Sequence, residues 1–178
     1  MTKGTIPIKP WKLCLLALVP GVLGWLGNVL IARVIFLPLP AALVNLLTYA
    51  SLYLPTVAAA VFCLWLGRRC GREQYPFPKY LLCTQWPSAV SLILYIWQFH
   101  FVSDEARSTL LAMLGQVAAA PMMPVAARLT WLPDMDNTWA QAESLLANIF
   151  SLTLLAALSI AGYWWGRRLQ RGAQAGAA

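Results

Sequence analysis

The sequence predicts an all-α integral membrane protein, a four-helix transmembrane bundle with a helical outer segment between the third and fourth helices. Three observations carry that prediction. Of the 178 residues, 60% are hydrophobic and 11% are charged, where a soluble domain carries about 25% charge. The charge-free runs reach the length a spanning helix requires, about 20 residues at 1.5 Å rise each. The basic residues, finally, collect at every second gap between those runs, as they do in cytoplasmic loops. A soluble enzyme and a solvated disordered chain are both excluded, the latter by nine Trp, six Tyr and six Phe.

The first span covers residues 13–32, between Lys12 and Arg33. A basic arm precedes it, as in a signal peptide. Its apolar run is longer than the usual 7 to 15 or so residues, however, and Leu30-Ile31-Ala32 has a small residue at only one of the two ends a cleavage box needs, so an uncleaved anchor is expected. The second span, 41–66, is uncharged as far as Arg68; the third, 81–102, follows Lys79; the fourth, 144–166, lies between Glu143 and Arg167. Pro20, Pro55 and Pro87 fall inside spans, where each frees a carbonyl that a neighbour or water must meet.

Residues 103–143 form the outer segment. Its apolar stretch 109–132 is interrupted by Pro121 and Pro124, so two short helices, 108–120 and 125–131, are expected on the outer face or dipping into the interface. Asp134-Met135-Asp136-Asn137 reads as the polar turn before the fourth span, with Asn137 or Thr138 as a cap, because the Gly and distant Glu of a calcium loop are missing. The Ala/Gly tail, 172–178, is expected to be disordered, and 1–178 forms one membrane domain.

Charge placement sets the threading. Four spans bring the arm (Lys3, Lys9, Lys12), the middle loop (Arg68, Arg69, Arg72, Lys79) and the tail (Arg167, Arg168, Arg171) to one side, leaving Arg33, Arg107 and Arg128 on the other with five of the six acids. Both termini are therefore expected in the cytoplasm, in a cell membrane, with the six arginines of the second loop and tail as topology anchors. Those charges meet anionic lipid, and the net charge of +7 needs no nucleic-acid partner.

An internal match accompanies this layout. Residues 65–72 and 164–171 both read W-x-G-R-R-x-x-R, and Lys12–Pro20 and Lys79–Pro87 share a spacing of eight. Two parallel helical-hairpin repeats would produce these matches. So would convergence, since Trp at the interface and Arg beyond it are general features of membrane proteins.

No Asp, Glu, Lys or Arg lies within a span, which removes the usual proton-relay and voltage-sensing signatures. What remains is neutral and at one depth. Asn45, Thr48, Tyr49, Tyr53 and Thr56 share a helix face, as do Gln141, Ser144, Asn148 and Ser151, while Asn28, Gln98 and His100 lie at matching depth in the other spans. A candidate outward-facing polar vestibule follows, made of Asn28, Asn45, Tyr49, Tyr53, Gln98, His100 and Asn148. The plainer and favoured reading is hydrogen bonding between helices. Glycines and other small residues on the first and fourth helices are expected to be packing faces.

One histidine and four cysteines near the cytoplasmic side offer no metal site and no outer dithiol. No catalytic constellation and no cofactor are expected. The leading functional expectation is a non-enzymatic accessory or partner subunit of a membrane complex, bilayer-bound and in contact with a membrane-protein partner or its own copies. A transport or channel component with the outward vestibule comes second, and a lipid-directed membrane enzyme using His100, Asp104, Asp134 or Asp136 third.

Overall fold

The computed structural model describes residues 8–129 and 137–175, with side chains over 8–129 and 144–174. The described chain is helical, with no strand: α1 (Pro10–Leu16), α2 (Val19–Val34), α3 (Ala41–Arg72), α4 (Phe77–Ile96), α5 (Thr109–Val117), α6 (Met123–Leu129) and α7 (Asn137–Ala175). A π-helical turn, Trp97–Phe101, extends α4, and a 3-10 turn, Ala120–Met122, joins α5 to α6. Three helices are long and apolar enough to cross a membrane: Pro10–Val34 taken across its internal turn, Ala41–Arg72 and Ser144–Gln174. The protein is membrane-embedded on that ground. α4 is not among the three, because Lys79, Thr84, Gln85 and Pro87 dilute its apolar residues.

The α1–α2 turn lies just before Pro20. The Leu18 N–H turns to Leu15 O, and the Cys14 carbonyl accepts the Trp86 indole N–H at 3.2 Å, so a neighbouring helix satisfies the backbone. α3 and α4, by contrast, run helical through Pro55 and Pro87.

α3 and α7 run parallel and form the central contact. Gly67 and Gly71 on α3 are spaced four apart, as are Gly162 and Gly166 on α7. A Cβ on Gly67 would meet Ser159 O, one on Gly71 would meet Tyr163 O, one on Gly162 would meet Leu64 O, and one on Gly166 would meet Arg68 O. The two backbones touch directly, the arrangement that small residues four apart permit in lipid. In this contact Gly67 is the counterpart of Gly162, whereas the sequence match W-x-G-R-R-x-x-R pairs Gly67 with Gly166. The packing register and the sequence register differ by one helical turn.

The ends of α1, α3, α4 and α7 that carry Lys9, Lys12, Arg68, Arg69, Arg72, Lys79, Arg167, Arg168 and Arg171 lie together around one buried cluster of Leu13, Leu66, Cys70, Tyr75, Tyr80 and Tyr163. We call this the basic end. Arg69 pairs with Glu73 at 3.0 Å, and the same carboxylate accepts the Ile8 N–H at 3.1 Å, fixing the N-terminal arm. α3 stops with Gln74 at a φ of 54°. The Tyr75 N–H reaches Cys70 O and the Gln74 N–H reaches Gly71 O, a Schellman closure that satisfies the last carbonyls.

The apolar segment 109–129 packs among the long helices rather than along their ends. α5 and α6 are bent against each other by 62°, and their junction is inserted between α2, α3 and α7. A Cβ on Gly24 would lie 2.6 Å from Pro121 N, and Met122 joins a buried cluster with Ala59, Cys63 and Leu155. The physical cause is the smooth face of α2, where Gly21 and Gly24 let Val117 and Pro121 approach the backbone. At the other end of the chain, α7 continues through residues 172–175, where alanine sustains the ladder. Residues 176–178 and the Asp134–Asp136 turn lie outside the described residues, as does the end of the second expected outer helix.

Candidate functional site

The inserted hairpin leaves a cavity of about 660 Å³ between itself, α2 and α3. That is the size of a small-ligand pocket. The Gly24 contact with Ala120 and Pro121 closes it toward the basic end. Its walls are mainly apolar, with Trp25, Val29, Leu52, Met113 and Met123 among them. Asn28 from α2, Ser51 and Tyr53 from α3, Gln116 from α5 and Arg128 from α6 supply its polar groups. The Arg128 guanidinium sits 5.6 Å from the Tyr53 ring centroid, a cation over an aromatic face. A separate void of about 60 Å³ beneath the hairpin, near Gly21, Thr84 and Ser88, has the volume of a few waters at most.

The seven vestibule residues read from the sequence are thus distributed over three places. Asn28 and Tyr53 line the cavity. Asn45, Tyr49 and His100 are exposed on the surface, with Tyr49 stacked on Tyr53 at 6.5 Å and linking the surface to the cavity edge. Gln98 and Asn148 are buried, each 2% exposed, and lie apart from the cavity.

Gln98 serves as a splint. Its side-chain oxygen accepts the Ser108 N–H at 3.0 Å, and its main-chain carbonyl accepts the Arg107 Nε–H at 3.0 Å. The start of α5 is tied to the end of α4 by that pair, and Asp104 holds Arg107 from the other side at 2.6 Å. Deeper in, the Ser91 hydroxyl donates to Gly115 O at 2.7 Å. Asn148 donates to Ser144 O at 2.9 Å, while its own side-chain oxygen is buried with no partner among the described residues. Tyr95 and Ser144 share a hydrogen bond of 2.6 Å beside it.

No family model, curated protein or solved structure matches the chain. The site is therefore assigned on its own chemistry.

Gln116 and Arg128 escaped the sequence reading because they lie on the segment expected at the surface. A signal was present: Pro121 and Pro124 interrupt an apolar stretch that faces a glycine-rich helix, and breaks of this kind in membranes are tolerated where protein surrounds them. At the basic end, Tyr80 and Ser159 join α4 to α7 through their hydroxyls, and the Tyr163 hydroxyl donates to Tyr75 O. Burial raises the Tyr75 phenol above its usual value, with the Cys83, Cys70 and Cys14 thiols adding to the effect.

Proposed function

We propose that the chain is a multi-pass protein of the cell membrane that binds a ligand in an outward-facing cavity, as a transport or binding component. It crosses the membrane four times with both termini in the cytoplasm, and α5 and α6 dip in from outside and return. Nine basic residues grouped at one end support the orientation, by the preference of Lys and Arg for the cytoplasmic side. The cavity carries the functional reading: a half-open volume of about 660 Å³ with five polar side chains on otherwise apolar walls. It lifts the vestibule above the accessory-subunit role, for which the exposed apolar faces offer only what lipid contact already explains. The hairpin repeat plays no part in the reading.

Complementation separates the cavity from its surroundings. In a strain lacking the chain, Asn28→Leu and Ala127→Phe should fail to restore what the native chain restores, at unchanged abundance. Asn45→Ala and Tyr49→Phe on the exposed surface should restore it. The opposite pattern, or full rescue by all four, would overturn the cavity as the working site.

A further inference from the structure

We infer that the cavity accepts an anionic amphiphile, an alkyl chain carrying a phosphate or carboxylate head, with Arg128 as the group that holds the head. This rests on the cavity reading above and adds the chemical class of the ligand. The charge distribution is the reason. Among the described residues lining the cavity, Arg128 is the one ionised side chain; the rest are apolar or neutral. It lies toward one end, six residues beyond Met122, which places it on the order of 9 Å from the hairpin tip. The closed end, near Gly24, Ala120 and Pro121, is apolar.

Partners of the three outer arginines differ. Arg107 is paired with Asp104. Arg33 closes the last turn of α2, where a cation meets the negative end of the helix dipole. Arg128 has a single partner among the described residues, the Tyr53 ring, which occupies one face of the guanidinium and leaves its N–H edge for an anion. Guanidinium matches phosphate and carboxylate through paired hydrogen bonds. A wholly polar solute would leave the apolar walls unmatched, and a neutral lipid would make no use of the guanidinium's N–H edge. An amphiphile with an anionic head satisfies both, and Asn28 and Ser51 add hydrogen-bonding groups within the same cavity.

Native mass spectrometry of the full chain in neutral detergent tests this, using dioleoylphosphatidylglycerol, dioleoylphosphatidylcholine, oleate and inorganic phosphate as probes. The native chain should retain one phosphatidylglycerol with about tenfold preference over phosphatidylcholine, the factor that one charge-assisted hydrogen bond supplies. Arg128→Gln should bring the two lipids to parity, and Arg128→Met serves the same comparison if the first variant unfolds. Ala127→Phe, filling the cavity, should lower retention of both. Oleate bound as tightly as phosphatidylglycerol identifies a single-chain anion as the ligand; weaker oleate identifies a bilayer phospholipid. Equal binding of the two lipids by the native chain, a preference that survives loss of Arg128, or displacement of the lipid by inorganic phosphate alone would overturn the anionic amphiphile. Lipid binding indifferent to Ala127→Phe would instead overturn the cavity itself.

Discussion

Gln98 sits in the π-helical turn after α4 with its side-chain oxygen on the Ser108 N–H, almost wholly out of contact with solvent. Its removal deprives a half-buried N–H of its partner, a loss of about 1 kcal/mol. Gln98→Leu should therefore lower the unfolding temperature in detergent and speed proteolysis between α4 and α5, while Gln98→Glu, which keeps an acceptor, should retain most of the stability. Unchanged melting of Gln98→Leu would show that the splint is dispensable. Asn28 and Tyr53 are a different kind of polar residue, since they border open volume. Sequence depth alone did not separate the two kinds. Both satisfy the same rule, that a polar group in hydrocarbon must find a partner, and only their neighbours differ.

The α3–α7 pair depends on four glycines whose positions admit no side chain. Gly71→Ala would place a methyl group against the Tyr163 carbonyl, and backbone, unlike a side-chain end, has nowhere to move. A destabilisation of about 1–3 kcal/mol is expected from such overpacking, read as a lower midpoint of thermal unfolding. Gly172→Ala is the control: nothing lies within 4 Å of a Cβ there, and the same exchange in an exposed helix should stabilise by about 1 kcal/mol. Equal effects at the two positions would contradict the close contact. The same geometry bears on the repeated W-x-G-R-R-x-x-R motif. Its glycines are accounted for by packing between the two copies, its tryptophans and arginines by the interface. The hairpin of α5 and α6 obeys the same logic on the α2 side, where Gly24 receives Pro121.

Threading of the whole chain is tested by reporter fusions after residues 40, 73, 135 and 178, expected to lie outside, inside, outside and inside. An outside report from the last would defeat the proposed topology. The inserted hairpin adds a second measurement. Met122, 3% exposed between α3 and α7, should be unreactive as Met122→Cys toward a membrane-impermeant thiol reagent applied from outside, whereas Ser103→Cys on the exposed loop should label. Rapid labelling at both positions would return the segment to the outer surface.

Helical character, membrane residence and the grouping of basic residues were legible in the sequence because they follow from local quantities: run length, apolar content and the side on which charge falls. The start of α3 at Ala41 follows from the same counts, whereas that helix runs past Arg68 to Arg72. The destination of residues 109–129 was not legible. Their composition suits an interfacial helix pair and an inserted hairpin equally, and the choice rests on the glycine face of α2 and the cleft between α3 and α7, which exist only once those helices are packed. The cavity has the same origin, for its polar residues come from four helices, and no spacing along one chain segment encodes the volume left between them.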